Sequence, residues 1–86
     1  MHTRIDPIFA PPKDIAEACG NSIQNHYKKI ADGLLPPMIK SGKRKSLAVV
    51  GEYRAVCAAQ ISGATNDEIR ALVRQIVADR SKATAQ

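Results

Sequence analysis

Six cations crowd into twenty residues of this 86-residue chain. Lys28, Lys29, Lys40, Lys43, Arg44 and Lys45 fall between His26 and Lys45, with Asp32 as the one acid among them. That stretch carries the whole formal net charge of +5; the remaining residues set seven basic side chains against seven acidic ones. The chemistry on offer is electrostatic. Ammonium and guanidinium groups at this density neutralise a polyanion, and duplex nucleic acid is the commonest polyanion of matching charge density. Beside the first lysines stand Ser22, Gln24, Asn25 and His26, short polar groups of the kind that reach base edges in a major groove.

Other chemistries find no footing in the sequence. Gly42-Lys43 is followed by Arg44 and does not complete a phosphate-cradling loop, and no paired carboxylates, nucleophile with an orienting base, or metal-ligand spacing is present. No catalysis, cofactor, metal or small-molecule substrate is expected. Cys19 and Cys57 match no metal-ligand spacing and read as small buried hydrophobes in a reducing cytoplasm, with a disulfide between them left open but unsupported. No apolar run reaches the length of a membrane span, and Asp6 and Pro7 interrupt any signal-peptide core. A soluble cytoplasmic protein is expected. With three aromatic residues, Phe9, Tyr27 and Tyr53, the chain has too few rings to build a stacking platform for single strands.

The elements that must position the polar and cationic groups follow from local signals. Residues 1–12 hold three prolines and no period, and read as an extended arm in which Ile5, Ile8 and Phe9 can pack back. Pro12 suits the first turn of a short helix running to Cys19, and Gly20 suits the left-handed residue that ends it. Asn21 and Ser22 can cap a second helix, about Ile23 to Ala31, whose expected apolar face is Ile23, Tyr27 and Ile30. Ser22, Asn25, His26 and Lys29 then form its polar face, flanked by Gln24 and Lys28. Pro36 and Pro37 force extended backbone. Met38–Lys40 and Lys45–Ala48 read as two short strands around a turn with Gly42 at positive φ. A third helix is expected from about Val50 to Ile61. A fourth opens on the capping box Thr65 and Glu68 and closes at Arg80, with an apolar stripe of Ile69, Leu72, Val73, Ile76 and Val77. That stripe either completes the core or contacts a second protein. The last residues, 81–86, are expected to fray.

The expected fold is mainly α with a small β-hairpin wing: one winged helix-turn-helix domain over residues 13–80, in the order helix, turn, helix, hairpin, helix, helix. In that architecture the second helix enters the major groove, and the hairpin with Lys40, Lys43, Arg44 and Lys45 contacts the backbone, Arg44 reaching into a minor groove.

The stretch Gly20 to Gly33 resembles the AlpA and excisionase group of small winged-helix proteins, whose helix-turn-helix is related to that of MerR regulators. Gly20, Ser22, Tyr27, Lys28, Ile30 and Gly33 fill the places of its Gly-x-Ser, aliphatic-Tyr-Arg, aliphatic and Gly pattern. Leu35-Pro36-Pro37-Met38-Ile39-Lys40-Ser41-Gly42, followed by Arg44, is similar to the wing of that group. His26 stands where the group carries an aliphatic residue, Lys28 where it carries Arg, and Ala48 in the region of a frequent Trp. The resemblance implies regulation of mobile DNA in a bacterium or its phage. Excisionases bind tandem sites cooperatively, bend the duplex and direct a tyrosine recombinase toward excision; other members activate transcription on prophages and genomic islands. The residues alone leave both outcomes open, and with them a third: a protein-interaction adaptor or antitoxin whose basic patch meets an acidic partner.

Overall fold

The structure is a computed structural model and describes residues 8–43 and 45–84, the side chains of 82–84 excepted. It is mostly helical, with a three-stranded antiparallel sheet: β1 (Phe9–Ala10), α1 (Pro12–Ala18), α2 (Ile23–Ala31), β2 (Ile39–Ser41), β3 (Lys45–Val49), α3 (Val50–Ile61) and α4 (Asn66–Thr84). Arg44 and residues 1–7 of the expected arm lie outside the described residues.

Local chemistry sets most boundaries. Pro12 opens α1, where its missing N–H is one the helix does not need. Gly20, at φ +76°, closes it: the Gly20 and Asn21 amides donate back to the Glu17 and Ala16 carbonyls, which would otherwise be orphaned. Ser22 caps α2, its hydroxyl oxygen accepting from the Asn25 amide at 3.1 Å. The capping box on α4 is reciprocal: Thr65 N donates to Glu68 Oε1 at 2.8 Å and Glu68 N to Thr65 Oγ1 at 3.2 Å. Those bonds favour the charged form and hold the Glu68 carboxyl below the usual range. The helix continues through Thr84, past the expected stop at Arg80.

The hairpin forms with its first strand one residue later than expected and its second running on to Val49, with Gly42 at φ +80° and pairs Ile39↔Leu47, Lys40↔Ser46 and Ser41↔Lys45. The unanticipated strand is β1, which pairs Phe9↔Val49 and Ala10↔Ala48 and makes β3 the central strand. It also completes a helix end. The Val50 amide, at the start of α3, donates to the Ile8 carbonyl at 2.9 Å, a partner the helix cannot supply itself.

The core gathers Ile15, Leu35, Ala48, Val50, Tyr53, Val56, Ile69 and Val73. Two residues of the α4 stripe, Ile69 and Val73, are 2% and 5% exposed and belong to this core, and Leu72 and Ile76 pack against it. The stripe therefore closes the fold. It is not the docking face that its exposure would have required; of the five residues, only Val77, at 37%, reaches solvent substantially.

Polar bonds fix the helices to the segment before the hairpin. Tyr53, 1% exposed, donates its hydroxyl to the Pro36 carbonyl at 2.8 Å, and burial pushes its phenol well above the ordinary range. Arg80 of α4 forms a double ion pair with Glu52 of α3 and donates to the Pro37 carbonyl at 2.8 Å. Arg70 donates to the Asp32 carbonyl at the end of α2, at 2.9 Å. Tyr53→Phe strips the buried Pro36 carbonyl of its donor. It should lower unfolding stability by about 1–2 kcal/mol, seen as a lower urea midpoint at unchanged denaturant slope.

Candidate nucleic-acid interface

The residues of α2 divide differently from the expected face. At ~100° per residue, His26 falls beside Ile30 at the edge of the expected Ile23, Tyr27 and Ile30 face, and as a polar ring it was counted with the outward residues while Tyr27 was counted inward. The structure does the reverse. His26 is 0% exposed, while Tyr27 is 47% exposed and Ile23 also reaches the surface. The inward side is His26 and Ile30, with Lys29 half-buried at its edge; the outward side is Gln24, Tyr27, Lys28 and Ala31, with Asn25 beside them. His26 therefore cannot read a base, and Tyr27 joins the exposed face. The signal for this was in the sequence: His26 occupies the place of an aliphatic residue in the pattern the stretch resembles.

His26 is held by rings. It stacks on Tyr53 of α3 at 5.8 Å between centroids and 28° between planes, and meets the edge of Tyr27 at 5.3 Å. Neither ring nitrogen has a hydrogen-bond partner among the described residues. A buried imidazole without partners resists gaining charge, and desolvation lowers its pKa from the ordinary 6.5.

The other expected readers are placed as follows. Ser22 uses its hydroxyl as the α2 cap, which leaves it a positioning role. Asn25 is exposed and donates an amide hydrogen to Asn21 Oδ1 at 3.0 Å. Gln24 and Lys28, one turn apart, are exposed. Lys29 leans the other way: its charge is near enough to Cys19 to pull that thiol's pKa downward. The outward face of α2 thus carries one lysine at its centre, not two.

In the hairpin, Lys40, Lys43 and Lys45 are exposed. Residues directly opposite share a face and neighbours along a strand alternate. The Lys40↔Ser46 pair lies on the face of Ala48, which is buried against the helices. The Ser41↔Lys45 pair lies on the opposite face. The hairpin is therefore a thin ribbon with cations on both sides and Lys43 at its tip.

Tyr53 joins the two parts. Its ring supports α2 through His26 and its hydroxyl holds the Pro36 carbonyl at the foot of the hairpin. Among the described residues, no acidic side chain stands on the outward face of α2 or in the hairpin. No helix among the described residues is long and apolar enough to cross a membrane.

The chain matches no family model, no curated protein and no solved structure. The burial of His26 is directly testable. The unfolded chain takes up a proton near pH 6.5 and the folded chain does not until lower pH, so stability held above 6.5 declines as pH falls. His26→Leu removes two buried nitrogens that lack partners. It should raise stability at pH 7 by about 1–2 kcal/mol, and the gap over the parent should widen between pH 7 and pH 5 in chemical denaturation.

Proposed function

We propose that this chain is a sequence-specific duplex-DNA-binding protein of the winged helix-turn-helix type. In this reading α1 and α2 form the helix-turn-helix, α2 lies in a major groove, and the hairpin is the wing. The observation that carries it is the separation of charge. Lys28, Lys29, Lys40, Lys43 and Lys45 sit on α2, the hairpin strands and the turn between β2 and β3, while Arg70 and Arg80 of the neutral remainder are tied to internal partners. An outward face of Gln24, Asn25, Tyr27 and Lys28 combines amides that pair with base edges and a cation for phosphate. A ribbon with Lys40 and Lys45 on opposite sides suits insertion between the two phosphate walls of a minor groove, where a flat contact would use one side only.

A single module this small covers few base pairs, so useful specificity requires several copies on adjacent sites. The resemblance to the AlpA and excisionase group supplies the downstream act. The chain assembles cooperatively on tandem sites, bends the DNA and directs a tyrosine recombinase toward excision of an integrated element. Activation of prophage or island genes uses the same binding act.

Salt titration against duplex DNA tests the binding. About five phosphate contacts give a log–log slope near −4.5. Lys43→Ala should weaken all sequences alike and shrink that slope by about one, whereas Gln24→Ala should cost about 1–3 kcal/mol on the preferred site alone. A slope near zero, or duplex affinity indifferent to both variants, would remove the proposal in favour of an acidic protein partner. On the bound site, an excision assay with the recombinase encoded nearby separates directionality from transcription: the excisionase reading requires stimulation.

A further inference from the structure

Cys19 and Cys57 are 38 positions apart, and the fold brings their sulfurs to 4.0 Å. Cys19 is the C-cap of α1, in the turn that leads to α2; Cys57 lies in the third turn of α3. Both are free and half-buried. Both open into one groove between β1, α1 and α3, whose other walls include Phe9, Ile15, Tyr53 and Arg54. A bonded pair of sulfurs stands at about 2.05 Å. Closing the bridge requires the two sulfurs to approach by about 2 Å.

We propose that Cys19 and Cys57 are a disulfide-forming pair, closed by thiol–disulfide exchange with a small-molecule disulfide of the glutathione type. The bridge fastens the turn between α1 and α2 onto α3. In the first step the Cys57 thiolate attacks one sulfur of the oxidant, whose other half leaves as a thiolate, giving a mixed disulfide at Cys57. In the second, Cys19 loses its proton and attacks the Cys57 sulfur, expelling the second small thiolate. Two protein thiols give up two protons and two electrons, and one external disulfide becomes two thiols.

The environment orders the steps. Burial, then the neighbouring Cys57, pushes the Cys19 thiol up to about 11, with Lys29 pulling weakly the other way. Cys19 is accordingly a thiol at neutral pH and acts as the resolving sulfur. Ring closure proceeds faster as pH rises, because a larger share of Cys19 is then thiolate.

The bridge closes the loop from residue 19 to residue 57, which spans α2 and the hairpin, and so restricts the unfolded chain far more than the folded one. The inference rests on the fold alone and stands or falls separately from the DNA-binding reading. The purified full chain is equilibrated in glutathione redox buffers, with and without denaturing guanidinium, quenched with an alkylating reagent and read by intact mass. The expected product is a monomer lacking two hydrogens and carrying no glutathione. It should half-form in native buffer under conditions at least tenfold more reducing than in denaturant, and melt roughly 10 °C above the reduced chain. Cys19→Ser should stop at the mixed disulfide on Cys57. A doubly glutathionylated chain, a disulfide-linked dimer, or a bridge formed equally well in both solvents would overturn the assignment.

Discussion

The arrangement of the polar surface depends on one buried phenol. Tyr53 cannot be placed at 1% exposure unless its hydroxyl has an acceptor. It finds that acceptor at the Pro36 carbonyl, in the extended segment that leads into the hairpin. The same ring is the platform for His26, and His26 is the inward anchor of α2. The orientation of α2 and the departure of the hairpin are thus set by two bonds to one side chain. Pro36 contributes by being proline: with no N–H of its own and a restricted preceding residue, it holds the carbonyl in extended backbone where the phenol can reach it.

The long C-terminal helix reinforces that junction from the other side. Arg80 reaches both Glu52, one residue before Tyr53, and the carbonyl of Pro37, one residue after Pro36. Arg70 reaches the last carbonyl of the α2 cap. Two of the cations outside the basic stretch are therefore bound to groups within the fold. This internal use sharpens the separation of charge that the sequence already carries. The lysines of the hairpin have no comparable partner among the described residues and stay hydrated in solvent.

Much of this was legible from local chemistry, and the exceptions share a cause. Gly20 and Gly42 adopt positive φ, and both were readable as a terminus and a turn because only the absence of Cβ makes that conformation cheap. Ser22 and the Thr65–Glu68 pair cap their helices because an orphan amide takes the nearest oxygen. The face of α2 was not legible from hydropathy. A nine-residue helix offers two and a half turns, so one residue decides the apparent stripe, and a hydropathy reading counts His as polar and Tyr as apolar. The decision belonged to Tyr53, 27 positions further on, which offers a flat ring that an imidazole can cover. β1 escaped for a similar reason. Two residues carry no period, and Phe9–Ala10 is a strand only because β3 and the first amide of α3 supply partners. The meeting of Cys19 and Cys57 likewise exists only in the packed fold.

The junction also dictates how mutational effects should combine. Gln24 and Lys28 project from the far side of α2, and Lys43 from the tip of the hairpin; neither set touches Tyr53, His26 or Pro36 in the contacts described. Substitutions within the two surfaces are separated by the buried junction and should add, since residues without shared partners act independently. Substitutions at the junction are different in kind. Tyr53 and His26 share one stacking contact, so changing one alters what the other contributes, and both surfaces shift together when that contact is lost. If the proposed duplex binding holds, a loss of binding that is additive between Lys28 and Lys43, yet strongly non-additive between His26 and Tyr53, is what a single rigid junction between two independent contact surfaces requires. A flexible linkage between α2 and the hairpin would instead leave the junction residues nearly silent in such binding, because each surface would find its own seat on the proposed duplex.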